Sequence, residues 1–528
     1  MKKKLFYLAF AILTILSLCA CSAPAAEEAP MEEASATEAP AEGAPAATEA
    51  PLAEVPMTEP EAMPDGSNGS YESEEYLVID ENDAVSTDTQ SMLTFSLKVD
   101  TASYTNVARY IQSGSLPPKD AVRTEEFVNY FNYDEPMKFS EDSPFALYCE
   151  VGPSPFNEDR QLAFLRVKSK DIDKSQLPPS NLTFLIDTSG SMDSYDKLPL
   201  LREAFGLLVE TLTENDRVSI VTYAGSSQVV LDSASGSDRE RILSAINELW
   251  AGGSTAGADG IMTAYALAEK NFLAGGNNRV ILATDGDFNV GLSSTDELKN
   301  LVAEKRGNGV YMSILGFGTG NIRDDIMETL SKEGNGNYAY ISDLSDAKKV
   351  LVEELAANLF TIADDVKAQV EFNPEAVKSY RLIGYENRSL NNDDFENDAK
   401  DAGEIGIGTD VVILFELELQ GGALDAADPD LAGELFELRI RYKDPGQQVS
   451  KLISKAANYS DITSSPSDDL RFASSVAAFG HLLRGSEYTG QATFERVYAL
   501  AEESLGDDRD GYRREYLELL SQYNDLAG

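Results

Sequence analysis

The chain has 528 residues, of which 43 are Lys or Arg and 90 are Asp or Glu, giving a formal charge of −47, and 42% are hydrophobic. That charge argues against a nucleic-acid partner, while the length and apolar share allow about three domains and at least one large core. With one histidine (His481) and three cysteines (Cys19, Cys21, Cys149), little material exists for a Ser-His-Asp triad, a His-rich zinc site or a disulfide scaffold.

Residues 1–20 open with Met-Lys-Lys-Lys and continue as an apolar run too short to span a bilayer comfortably, the pattern of an export signal. The run ends in Leu18-Cys19-Ala20-Cys21-Ser22, which resembles the bacterial lipobox, with an aliphatic residue at −3 and a small one at −1. Cys21 is the expected lipidation site, because Cys19 would have the bulky Leu18 at −1. Cleavage before Cys21 removes three lysines and no acid, so the exported chain is more acidic still. The expected location is the bacterial cell envelope, on the outer side of the cytoplasmic membrane or in the outer membrane. Ser22, rather than Asp, follows the acylated cysteine and does not favour inner-membrane retention.

Residues 21–76 are largely Ala, Pro, Glu, Thr and Ser. Like charges and prolines hold such a segment extended, and it reads as a disordered acidic tether. Alternation over 94–100 predicts a strand, the spacing of Tyr104, Val107, Ala108 and Ile111 a helix, and 124–130 and 145–151 a second helix and strand. Together these make a small α+β module over 77–178.

From residue 181 short apolar strands alternate with amphipathic helices. Strands are expected at 182–186, 217–223, 280–283, 311–316 and 337–341, and helices at 198–212, 238–249, 259–272, 295–305, 322–332 and 345–359. The predicted fold class is α/β, a doubly wound, mostly parallel sheet with helices on both faces, over 179–360. Beyond 361 the strict alternation at 415–419 and 436–442 predicts antiparallel strands, and from 468 the pattern is helical, so 361–528 reads as a β-rich then helical domain.

The residues that carry chemistry follow the first of the doubly wound strands: Asp187-Thr188-Ser189-Gly190-Ser191-Met192. In an open α/β sheet, ligands bind at the C-terminal ends of the strands. Two more loops at that edge supply Gly252-Gly253-Ser254-Thr255 and Ala283-Thr284-Asp285-Gly286-Asp287. Hydroxyls and carboxylates are the hard oxygen donors that Mg²⁺ or Mn²⁺ prefers. Taken singly, the first motif also suits a polar turn that merely caps a helix; its place after an apolar strand and the two matching loops favour metal binding. Asp193, Asp196 and Asp287 lie nearby and read as solvated loop acids, the alternative being an adjacent cation site.

Asp187-x-Ser189-x-Ser191 with Thr255 and Asp285 resembles the metal-ion-dependent adhesion site of von Willebrand factor type A (VWA) domains. The resemblance implies that Ser189, Ser191 and Thr255 reach the metal directly, that Asp187 and Asp285 act through water, and that a partner's carboxylate fills the open position. Val99-Asp100-Thr101-Ala102-Ser103-Tyr104, Leu116-Pro117-Pro118, Val128-Asn129-Tyr130-Phe131, the run from Ala283 to Gly291, and Arg441-Tyr442-Lys443-Asp444-Pro445 resemble the YfbK-type group of bacterial VWA lipoproteins.

The expected function is therefore that of a lipid-anchored envelope protein binding a protein ligand that presents Asp or Glu to a bound Mg²⁺ or Mn²⁺. The alternative is a metal-independent scaffold or assembly factor of an envelope complex. An enzyme is not expected, because the five-residue site uses its acids and hydroxyls and leaves no separate general base. His481 is expected to be packed or partly exposed, and Trp250 to lie as a lid on the core, the alternative being that it shapes the rim of the metal site, because the Thr255 loop follows at once.

Overall fold

The computed structural model describes residues 74–98, 100–173, 176–253, 257–286, 295–421 and 433–527. The export signal, Cys21, residues 21–73 of the tether, Thr255 and Asp287 lie outside the described residues. The last three residues assigned to the tether, 74–76, are instead part of the fold, with the buried Glu74 carboxylate accepting from Arg109 at 2.9 and 3.0 Å and from Gly320 N at 2.8 Å.

In chain order, β1 (Val85–Ser86), β2 (Met92–Ser96), α1 (Ala102–Gln112), α2 (Thr124–Val128), β3 (Phe145–Pro153) and β4 (Gln161–Ser169) come first. The central segment holds β5 (Ser180–Asp187), α3 (Leu198–Thr211), β6 (Arg217–Tyr223), β7 (Ser227–Ser235), α4 (Arg239–Asn247), α5 (Gly257–Lys270) and β8 (Asn277–Thr284). It continues with α6 (Thr295–Gly307), β9 (Tyr311–Phe317), α7 (Asp324–Glu333), β10 (Tyr338–Ile341), α8 (Leu344–Lys348) and α9 (Leu355–Leu359). After it come β11 (Thr361–Phe372), β12 (Val377–Ile383), β13 (Ser389–Leu390), β14 (Gly403–Gly406), β15 (Asp410–Leu419), β16 (Glu434–Lys443) and β17 (Ser450–Asn458). Helices α10 (Asp468–Arg484), α11 (Phe494–Glu502) and α12 (Tyr512–Ala527) close the chain.

The central sheet has the order β10-β9-β8-β5-β6-β7. Neighbours from β10 to β6 run parallel, and β7 pairs antiparallel with β6 at the edge. Residues of α3, α4 and α8 share one apolar core with the sheet, and those of α5, α6 and α7 share another. Burial on both faces explains why strands such as Asn181-Leu-Thr-Phe-Leu-Ile186 lack a wet side. Because β6 lies on one side of β5 and β8 on the other, the winding reverses at β5, which opens a crevice at the C-terminal ends of these strands. The helix expected over 345–359 is interrupted: a π-helical turn at Lys349–Glu353 separates α8 from α9. β7 was not expected. Its register slips twice against β6 and most of its residues are exposed or half-buried, so it carries no clean alternation.

The flanking segments have the textures expected of them, α+β before the central domain and β-rich then helical after it. They do not, however, fold apart. One sheet has the order β1-β12-β15-β4-β3 and the other β13-β2-β11-β16-β17, so each mixes strands from both sides of the central domain. β2 pairs with β11 (Leu93 opposite Val370) and β4 with β15 (Phe164 opposite Leu414). The sheets enclose one core that includes Phe95, Val151, Phe372, Phe415 and Leu438. The central domain is thus inserted into a sandwich whose halves are far apart in sequence. Helices α1, α2, α10, α11 and α12 pack around Phe131, Phe472, Phe479 and Tyr516, against Leu162, Phe164, Val412 and Leu414 on the other face of the first sheet.

Buried charges tie the sandwich to the central domain. Arg123, just before α2, donates to Asp324 Oδ2 of α7 at 2.6 Å. Arg388 donates to Glu328 of α7 at 2.7 Å and to Asp100 at 2.9 Å.

Candidate metal centre

β5 ends at Asp187, and the chain then turns through Thr188 and Ser189 into a short 3₁₀ turn at Gly190–Asp193. Asp187 is fully buried and Ser189 nearly so, while Ser191 is half-buried. The backbone N–H of Ser189 donates to Asp187 Oδ1 at 2.8 Å, and Tyr223 Oη and Thr284 Oγ1 donate to Asp187 Oδ2 at 3.1 and 3.4 Å. These contacts fix the carboxylate between the ends of β5, β6 and β8. The hydroxyls of Ser189 and Ser191 stand 2.9 Å apart.

Two backbone bonds bring the second loop alongside: Gly252 N donates to Thr188 O at 2.8 Å and Gly190 N to Gly253 O at 3.2 Å. Thr255 follows two residues later, outside the described residues. The third loop starts where β8 ends, with Asp285 fully buried. Thus four of the five sequence-predicted ligands, Asp187, Ser189, Ser191 and Asp285, sit at one edge of the sheet, at the reversal of strand order. Asp193 is exposed and Asp196, half-buried, accepts from Ser194 Oγ, as expected of loop acids.

Burial and the repulsion of Asp285 push the Asp187 carboxyl up to about 6, against the pull of its Ser189 hydrogen bonds. Two acids buried this close create a demand for positive charge. Part of it is met by a residue the sequence reading missed: Lys197, itself buried, donates to Asp285 Oδ2 at 2.9 Å and to Asn321 Oδ1 at 3.2 Å. Its only sequence signal was a lysine between the motif and an apolar helix, which ordinarily reads as solvent-facing.

The donor set suits a small hard cation. Oxygens in adjacent positions of a Mg²⁺ octahedron, at about 2.1 Å from the metal, lie about 3 Å apart, and the two serine hydroxyls match that spacing. Among the described residues no three His, Cys, Asp or Glu side chains group as a metal cage, so a metal here would draw on hydroxyls.

Trp250 is not a lid on the core. It is 75% exposed, and its ring lies over Gly252, where a Cβ would come within 2.4 Å of a ring carbon. The indole therefore forms the rim of the site. Beside it opens a recess of about 360 Å³ lined by Thr188, Ala224, Ser226, Gln228 and Glu248. His481 is packed as expected, buried with its ring 4.6 Å from that of Phe156, and burial pushes its pKa well below the usual value. Cys149 is a buried free thiol that burial pushes up.

Comparison with known proteins agrees with this architecture. The von Willebrand factor type A domain family matches residues 181–354, a second family described as von Willebrand factor matches 70–163, and the family described as uncharacterized protein YfbK, C-terminal, matches 357–526. The chain is 44% identical over 462 residues to the uncharacterized protein YfbK of Escherichia coli K12, covering 84% of this chain and 80% of that one. It is 28% identical over 194 residues to human inter-alpha-trypsin inhibitor heavy chain H3, covering 35% of this chain and 22% of that one. A solved von Willebrand factor type A protein from Catenulispora acidiphila aligns over 71% of this chain and 91% of its own at 17% identity and a TM-score of 0.41. The chain belongs to the YfbK family and carries a VWA domain at its centre.

Proposed function

We propose that this protein is a lipid-anchored component of the bacterial cell envelope, tethered through Cys21, whose VWA domain binds a protein ligand through a divalent metal. Ser189, Ser191 and Thr255 would hold Mg²⁺ or Mn²⁺, with Asp187 and Asp285 behind them, and the partner would supply an Asp or Glu carboxylate. VWA domains often serve protein interaction or adhesion, which agrees with a binding role rather than a catalytic one.

The observation that carries this reading is the convergence at the strand-order reversal: two serine hydroxyls 2.9 Å apart beside two fully buried carboxylates. The hydroxyl donors are neutral and one of the two carboxylates is already paired with Lys197, so a bound dication is left incompletely neutralised, a point of attraction for one anion on an acidic surface that otherwise repels anions. The bound metal supplies that charge; the protein supplies its orientation and the rim formed by Trp250.

The test is affinity capture from envelope extract with the full-length chain in detergent, in Mg²⁺, in EDTA, and with Ser189→Ala. A protein retained by the wild type in Mg²⁺ alone supports the reading. Equal retention in all three arms overturns it in favour of a metal-independent scaffold built on the flanking sandwich.

A further inference from the structure

Lys197 directly precedes α3, and its side chain turns inward; the residue is 7% exposed. Burying an ammonium and a long side chain is costly unless the charge is met. Three segments converge on it: the motif loop that carries it, Asp285 at the end of β8, and Asn321 in the loop after β9. That last loop also makes room for its stem. Gly318 has φ of +74°, and a Cβ there would lie 2.2 Å from Lys197 Cε. A side chain at 318 would thus be strained by its backbone and would evict the lysine.

Resting on the metal-site reading above, we infer that Lys197 is a resident cation of this site that fixes its charge and thereby its selectivity for an anionic ligand. Asp187 and Asp285 bring two negative charges and Lys197 one positive, while the hydroxyl donors are neutral. A divalent ion then leaves a net positive site, which attracts a carboxylate. Without Lys197 the same ion would be neutralised and the attraction lost. Lys197 also compensates Asp285 when no divalent ion is bound, so the fold of the domain does not depend on the metal.

The experiment uses the full-length chain, wild type and Lys197→Met, with Mn²⁺ as the metal probe and acetate as the carboxylate probe. Calorimetry is expected to show Mn²⁺ binding about tenfold tighter or more in Lys197→Met, because one competing charge within a few ångströms is gone. Acetate is expected to strengthen Mn²⁺ binding in the wild type and not in the variant. Wild-type affinity in a folded Lys197→Met, or a loss of affinity, overturns the inference and leaves the metal site standing; absence of Mn²⁺ binding to the wild type overturns the metal reading itself. If Lys197→Met does not fold, Lys197→Gln, which keeps an N–H donor without the charge, is read in the same way. The wild type alone gives a further check: its thermal midpoint is expected to hold in EDTA, and a fall of more than about 10 °C overturns the claim that Lys197 compensates the metal-free site.

Discussion

Replacing Arg123 by alanine should loosen the joint between the VWA domain and the sandwich. The guanidinium is 2% exposed, donates to Glu126 one turn away, and grips Asp324 with two bonds of 2.6 and 3.2 Å. Removing it leaves two buried carboxyls without their main counter-charge, a loss of about 3–5 kcal/mol at neutral pH. Glu126 is already pushed up to about 8 by burial, with Arg123 holding it down, and Asp324 is raised as well. In the variant both rise further, so the folded state holds protons that the unfolded state releases. Stability then grows as pH falls; since Glu126, near 8 in the wild type, is protonated in both proteins well below that pH, the deficit against wild type should shrink from pH 9 to pH 6, through Glu126 in the upper part of the range and Asp324 in the lower. Urea unfolding followed by circular dichroism at both pH values measures this. The double variant Arg123→Met/Asp324→Leu should recover part of the loss, since apolar replacement of a buried pair is far cheaper than halving it. A loss below about 1 kcal/mol, or a deficit independent of pH, would refute the reasoning.

Asp346, buried beside Asp343, is pushed up to about 7. Its folded value lies above its unfolded one, so ionising it costs stability as pH rises from about 4 to 7; Asp346→Asn should match wild type at pH 4 and exceed it by up to about 4 kcal/mol at pH 8, read by urea midpoints. Phe372, 1% exposed and stacked 4.0 Å from the ring of Tyr380, should cost about 3–5 kcal/mol when replaced by alanine; a cost near zero would mean that the sandwich core is not shared as described. Gly252→Ala should push the indole of Trp250 off the loop, and since the chain has one tryptophan, a fall in its fluorescence anisotropy reports the move directly.

Much of the central domain was legible because parallel strands buried on both faces carry short apolar runs, as in Val280-Ile281-Leu282-Ala283 of β8, and because helices such as α3 keep one apolar face. The sandwich was not. An alternating strand such as β16 announces a wet and a dry face but not its partner, and β2 finds β11 across more than 250 residues by shape that no local pattern encodes. At the site, the oxygen donors were visible because they cluster at strand ends where the winding reverses. Lys197 went unread, and Trp250 was placed on the core first and on the rim only second, for one reason: residue type predicts average exposure, whereas a glycine at 318 admits a lysine inward and a glycine at 252 seats an indole outward.

Whether the site takes a metal is read by titrating the full-length chain with Mn²⁺ and following the emission of Trp250, the one tryptophan in the chain, which stands on the rim of the proposed site. Saturable quenching at one equivalent is expected in the wild type, reversed by EDTA and abolished by Ser189→Ala together with Ser191→Ala. No saturable quenching in the wild type, or the same curve in the double variant, would contradict the metal reading.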